Sequence, residues 1–215
     1  MTRKIALITG ASKGLGKSMA LHLAERQVDI IFTYHTNVTE AENTSKEIKK
    51  RGGKAVAIQL DTGKIDTFEA FDLTVKTVLA EHWNRADFDF LINNAGIGIN
   101  VPFAETTQEQ FDTLMNVQFK GVFFLTQKLL PIIKKNGGRI LNVSSGLARF
   151  TNPGFSAYAA MKGAIETLTR YLAKELGAAG ITVNTIAPGA IATDFGGGAV
   201  RDDEKLNTLT ASVTA

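Results

Sequence analysis

The stretch RKIALITGASKGLG, residues 3–16, constrains the fold of this chain more than any other. Ile5, Ala6, Leu7 and Ile8 form a short apolar run suited to a buried strand, and Gly10, Gly14 and Gly16 follow at once. The order is strand, tight turn, helix start. Gly10 can take backbone angles closed to other residues, Gly14 leaves room for a phosphate beside the main chain, and Gly16 lets the next helix pack closely on the strand. The first-turn N–H groups of that helix have no partner within it and favour a pyrophosphate.

The same alternation continues along the chain. Leu15, Met19, Ala20 and Leu23 recur at helical spacing up to Arg26, and 28–34 reads as a second strand, giving a right-handed parallel βαβ unit. A polar helix over 38–51 stops at Gly52 and Gly53, and a third strand covers 54–60. A helix over 64–83 leads to a strand over 88–92 that ends in NNAG, 93–96. The next helix spans about 107–134, with a bend expected unless Pro131 opens a separate final turn, before a strand at 139–143. Over 156–176 Ile165, Leu168, Leu172 and Leu176 share one helix face, while Lys162, Glu166, Arg170 and Lys174 share another; the sixth strand is 181–186. Short apolar strands alternating with helices predict an α/β, three-layer, doubly wound parallel sheet. Beyond Pro188 and Gly189 the pattern is loop-like, with a helix expected near 202–210.

Composition narrows the class. A chain of 215 residues with 44% hydrophobic composition supports one core, so 1–215 is expected to be a single domain. The net charge of +3 comes from 24 basic and 21 acidic residues spread along the chain, without the dense basic face of a nucleic-acid binder. The absence of cysteine excludes disulfides and thiolate chemistry; with no signal-peptide pattern and no membrane-length apolar run, a cytoplasmic protein is expected. His22, His35 and His82 lack metal-ligand spacing, and Ser144 and Ser145 lack a G-x-S-x-G elbow. Asp72 and Glu69 read as a solvated helix face, Trp83 and Tyr171 as packing, and Val122, Phe123, Phe124 and Leu125 as core or subunit interface.

In a parallel sheet, ligands bind outside the carboxyl ends of the strands. Residues 10–16, 34–35, 61–62, 93–96, 144–145 and 188–193 all follow predicted strands and would face one rim. Tyr158 and Lys162 are four apart on a predicted helix and share a face. An ammonium beside a phenol favours the phenolate, so the pair could act as an acid toward a carbonyl or a base toward an alcohol. A surface tyrosine beside a solvated lysine would show the same spacing. Ser145, one strand end upstream, favours the chemical reading because its hydroxyl could hold the same substrate oxygen.

These residues resemble the short-chain dehydrogenase/reductase family over nearly the whole chain. The matches are TGASKGLG at 9–16, NNAG at 93–96, Asn116, Ser145, YAAMK at 158–162, and Pro188-Gly189 followed by Thr193, with Ser145 thirteen residues before Tyr158. The resemblance implies a Rossmann-like sheet of order 3-2-1-4-5-6. It also implies Tyr158 as proton donor or acceptor, Ser145 as the group orienting the substrate oxygen, and Lys162 as the residue lowering the tyrosine pKa and binding the nicotinamide ribose. Asn116 would hold a water linking the lysine to solvent. The cofactor would lie along Gly10, Ser12, Lys13, Gly14, Leu15 and Gly16, Tyr34 and His35, and Asp61 and Thr62. It would continue past Asn94, Ala95 and Gly96 to Tyr158 and Lys162, with Pro188, Gly189, Ile191 and Thr193 at its nicotinamide end.

An NAD site usually places an acid at the end of the second strand. Here that region reads Thr33, Tyr34, His35, Thr36 and Asn37, with Lys13 in the glycine turn, so NADP(H) is expected over NAD(H). The makeup, including PGAIATDF at 188–195, is similar to 3-oxoacyl carrier-protein reductases, with a substrate loop over about 190–212 and Phe150 and Phe155 at an apolar entrance. Family members ordinarily add a further helix and a seventh strand; this chain reads as lacking them, which would leave the sixth strand an edge with Val183 and Ile186 poorly covered. A homodimer or homotetramer built on 107–134 and 156–176 is expected. The alternative is a catalytically weak nucleotide-binding regulatory or scaffold protein on the same fold.

Overall fold

The structure is a computed structural model that describes residues 3–193 and 195–202. Its strands are β1 Lys4–Ile8, β2 Val28–Tyr34, β3 Ala55–Gln59, β4 Phe90–Asn93, β5 Arg139–Val143 and β6 Thr182–Ile186. They form one parallel sheet in the order β3-β2-β1-β4-β5-β6. The helices are α1 Gly14–Glu25, α2 Val38–Lys50, α3 Phe68–Trp83, α4 Gln108–Met115, α5 Gly121–Leu129, α6 Ser156–Leu176 and the short α7 Ala199–Asp202.

Side-chain alternation divides the core between the sheet's two faces. Ile5, Leu7, Ile31 and Leu91 pack with Phe71, Val75 and Leu79 of α3 and Leu125 and Leu129 of α5. Ala6, Ile8, Ile30 and Phe32 pack with Ala20, Leu21 and Ala24 of α1 and Ile48 of α2. Both faces are covered, which is why the strands read as continuous apolar runs. Along α1 the deepest residues are Gly16, Ala20, Leu21 and Ala24, while Met19 and Leu23 pack at the margin. Small side chains let this helix sit close to the sheet.

Several expectations are corrected. The fourth strand pairs over Phe90–Asn93, two residues nearer the rim at its start, because Phe88 bridges to Ile133 below it. The expected helix over 107–134 is divided by a π-turn, Asn116–Lys120, and ends in a 3₁₀ turn, Leu130–Ile132, opened by Pro131. Gly121, directly after that turn, lets the helix pack against the loop after β3, since a Cβ there would collide with the Thr62 carbonyl oxygen. Val183 is buried in the core rather than poorly covered, whereas Ile186 is exposed. Asp72 is also buried, paired with Lys76 at 2.5 Å, and Tyr171 is exposed rather than packed. Trp83 does more than pack, since its indole N–H donates to Asp29 at 2.8 Å. The helix expected near 202–210 lies outside the described residues apart from its first position.

Candidate functional site

The carboxyl ends of β1, β2, β4, β5 and β6 open on one rim. There the glycine turn is tightly packed against the loop after β4. Gly10 has φ +64°, and a Cβ on it would lie 2.8 Å from Ala95 Cα. Among the described residues only the Thr193 side chain comes within 4 Å of a Cβ placed on Gly14, at 3.9 Å, leaving open space on the rim. Gly16 is held against the turn, where a Cβ would lie 2.6 Å from the Gly10 carbonyl oxygen. The start of α1 carries no side-chain cap, so its first-turn N–H groups suit an anion. Thr9 fixes the opposite wall: its Oγ1 accepts from the backbone N–H groups of Asn94 and Ala95, each at 2.9 Å. The Asn94 amide in turn donates to the Thr9 carbonyl at 2.9 Å and the Gly10 carbonyl at 3.1 Å.

At the end of β2, Tyr34 is half-buried and His35 exposed. His35 Nε2 lies 3.5 Å from Asp61 Oδ2, and Asp61 also accepts from the Gly63 N–H at 2.9 Å. Lys13, Lys17, Lys46 and Lys50 line a hollow between the glycine turn and α2 with two acids, Glu40 and Glu47, the latter paired to Lys17 at 2.8 Å. Thr44 of α2 anchors this hollow by donating to the Ser12 carbonyl at 2.9 Å.

Tyr158 and Lys162 lie on the inward side of α6, each 5% exposed. Spacing alone grouped Lys162 with the charged face of this helix; tertiary packing buries it instead. Lys162 Nζ donates to the Val143 carbonyl at 2.8 Å and lies 5.6 Å from the centre of the Tyr158 ring. Burial pushes the lysine down to about 8. The phenol moves opposite to the expected direction. Burial pushes it up to about 12, opposed only by a hydrogen bond with Ser145. Ser145 Oγ accepts from the Leu147 N–H at 3.2 Å, which turns the Ser145 O–H toward other acceptors. Tyr158, Ser145 and Lys162 thus converge at one end of β5.

Asn116 opens the π-turn, half-buried, and its side chain makes no hydrogen bond among the described residues. Gln118, absent from the sequence-based expectations, is wholly buried in that turn. Its Nε2 donates to the Ile97 carbonyl, while its Oε1 has no partner. A lone amide between Val117 and Phe119 was the available signal. Leu15, Asp61 and Thr62 are half-buried near the rim, as are Pro188 and Thr193, while Gly96, Gly189 and Ile191 are exposed.

Aromatic rings flank the phenol. Phe195 lies 5.7 Å from the Tyr158 ring and Phe155 lies 6.3 Å from it, edge-on. Phe195 also rests on Gly98, where a Cβ would approach its ring to 2.8 Å. Neither sequence spacing nor composition pairs Phe195 with Tyr158. Phe150 is exposed and contributes no ring contact among the described residues.

The family description "short chain dehydrogenase" matches residues 4–204. The 3-oxoacyl-[acyl-carrier-protein] reductase of Staphylococcus aureus is 36% identical over 208 residues, covering 96% of this chain and 82% of that protein. The enzyme of the same name from Synechocystis is 36% identical over 196 residues, covering 91% of this chain and 77% of that one. Among solved structures, the angucycline C-6 ketoreductase LanV with bound NADP superposes with a TM-score of 0.91 at 33% identity, covering 98% of this chain and 80% of that one. A short chain dehydrogenase from Burkholderia cenocepacia in complex with NADP gives 0.85 at 32% identity, covering 96% and 81%. The chain belongs to the short-chain dehydrogenase family, whose members are NAD(P)-dependent oxidoreductases acting on carbonyl and alcohol groups.

Proposed function

We propose that this protein is an NADPH-dependent reductase of a carbonyl group in a 3-oxoacyl thioester or small ketone. The observation that carries this reading is the buried Tyr158 phenol, hydrogen-bonded to Ser145 and held protonated by its surroundings at neutral pH. A protonated phenol is the form needed to donate to a carbonyl oxygen. When bound, the nicotinamide supplies the hydride. Tyr158 gives its proton to the oxygen that becomes the alcohol, and the Ser145 O–H donates a hydrogen bond to the same oxygen as charge develops. Lys162, with one donor on Val143, keeps two for the ribose hydroxyls. Asn116, at the start of the π-turn, would hold the water through which Lys162 regains its proton from solvent.

The glycine turn and the uncapped start of α1 fit a diphosphate. No acid occupies 33–37 to repel a 2′-phosphate, Asp61 is engaged by His35, and the lysine-lined hollow favours negative charge, all of which support NADPH over NADH. The relatives named as 3-oxoacyl reductases support the thioester, and the rings at Phe155 and Phe195 give it an apolar wall. In this reading 1–215 is one cofactor-binding domain with its substrate loop over about 190–212. It acts in the cytoplasm as a homodimer or homotetramer, with Phe123, Phe124 and Tyr171 exposed on α5 and α6 as contact residues. No helix among the described residues is long and apolar enough to cross a membrane. The test is NADPH consumption with 3-oxoacyl thioesters and small ketones. Turnover on this panel supports the reading; tight NADPH binding without turnover supports a nucleotide-binding regulator instead.

A further inference from the structure

Ser145 lies between two residues held by one carboxylate. Ser144 Oγ is 3.1 Å from Glu166 Oε1 and equally 3.1 Å from the Lys162 carbonyl oxygen. On the other side, Arg149 Nη2 lies 3.6 Å from Glu166 Oε2. Both oxygens of Glu166 therefore hold the segment that carries Ser145. The same segment is tied to the chain after β6, because the N–H groups of Ser144 and Gly146 donate to the carbonyls of Ile186 at 2.7 Å and Pro188 at 2.8 Å. Those backbone bonds fix its height above the sheet. The Glu166 contacts fix its distance from α6, where the carboxylate lies one helical turn beyond Lys162 and two beyond Tyr158.

A solvated helix-face glutamate would not be placed this way. The Glu166 side chain is only 15% exposed, against 63% for Arg149. A half-buried carboxylate is costly to hold unless its oxygens are satisfied, and here both satisfying groups flank Ser145. We propose that Glu166 is a positioning residue: it sets the Ser145 hydroxyl at the distance and direction from the Tyr158 phenol that a shared carbonyl oxygen requires. The inference rests on the reading that Ser145 and Tyr158 act on one oxygen.

The test is a double-mutant cycle of Glu166→Ala with Ser145→Ala, following kcat for NADPH-dependent reduction, NADPH affinity by fluorescence titration, and thermal unfolding. Alone, Glu166→Ala is expected to lower kcat by roughly 10-fold or more, a size reached by sub-ångström to ångström misplacement of a catalytic group. NADPH affinity should change less than about 3-fold, since the glycine turn and the hollow beside α2, on which most of the cofactor would rest, lie at other strand ends. In the Ser145→Ala background the same substitution should have almost no further effect, because no hydroxyl remains to be aimed. Glu166→Gln, which keeps an acceptor for Ser144, should recover most of the loss. If Glu166→Ala does not fold, Ser144→Ala takes its place in the same cycle, leaving α6 untouched. Equal losses of kcat in both backgrounds, or an unchanged kcat while Ser145→Ala is slow, would overturn the positioning role. An inactive parent protein, or a Ser145→Ala variant as fast as the parent, would instead overturn the reductase reading beneath it.

Discussion

Lys162 places its ammonium 5.6 Å from the centre of the Tyr158 ring, yet gives its hydrogen bond to the Val143 carbonyl at 2.8 Å. The ammonium is buried and pushed down to about 8, while the phenol is pushed up to about 12. On raising the pH the lysine therefore loses its proton before the tyrosine does. We expect kcat/KM for NADPH, which reports the free enzyme, to be level near neutrality and to fall above a pH of about 8. A profile that stays level to pH ~10, the ordinary lysine range, would contradict this assignment.

The same burial bears on stability. For a cation whose folded pKa is depressed, the cost of burying charge is fully present below the folded value and is relieved as pH rises toward the unfolded value. For Lys162 that window runs from about 8 to its ordinary 10.5. Lys162→Met should abolish reduction, yet unfold at a temperature no lower than the parent at pH ~7, since it removes a buried charge and fits an apolar site. The difference between the two proteins should shift in the parent's favour by pH ~10. Thermal unfolding at both pH values checks this, and a large loss of stability in the variant at pH ~7 would refute it.

Two glycines separate backbone constraint from free space. Gly10 combines a φ of +64° with a Cβ position 2.8 Å from Ala95 Cα. Gly10→Ala is expected to cost about 2 kcal/mol or more of stability and to weaken NADPH binding, since the turn itself must move. Gly163, inside α6, has no described residue beyond its own helix turn within 4 Å of its Cβ position. Gly163→Ala should stabilise the protein by about 0.5–1 kcal/mol through helix propensity. Denaturant unfolding of the two variants measures both effects, and similar behaviour would show that the turn is not constrained as described.

Cofactor choice is a further check. With no acid over 33–37 and the lysine-lined hollow beside Ser12, NADPH should bind more tightly than NADH. Lys13→Ala should weaken NADPH by roughly 1–2 kcal/mol while leaving NADH nearly unchanged, as expected for one charge-assisted contact to a phosphate. Fluorescence titration with both cofactors measures the ratio. Equal losses for the two would remove Lys13 from 2′-phosphate recognition.

Much of the fold was legible in the sequence because period and punctuation agreed. Strands 28–34 and 139–143 and helix 156–176 have the expected bounds, each closed by glycine or a polar turn. What was not legible depends on contacts between distant segments. The π-turn at Asn116 leads into Gly121, which packs against the Thr62 carbonyl 59 positions away, and nothing local marks it. Spacing grouped Lys162 and Glu166 as a charged helix face, but the first is buried with its ammonium on the Val143 carbonyl at the end of β5, and the Ser144 hydroxyl engages the second. Spacing put an ammonium near a phenol; only the fold shows that burial pushes the phenol up to about 12, opposed by its hydrogen bond with Ser145. Tyr171 reads as packing for want of a chemical companion in sequence, whereas the fold leaves it exposed on α6.

The central claim is that Tyr158 donates the proton in carbonyl reduction. Its most direct test compares NADPH oxidation by the parent protein and Tyr158→Phe on the best substrate from the thioester and ketone panel, with NADPH affinity measured alongside. The account predicts a rate loss of roughly 10²–10⁴-fold with affinity nearly unchanged, the range for removing a general acid. A phenylalanine variant that reduces the substrate as fast as the parent would contradict it.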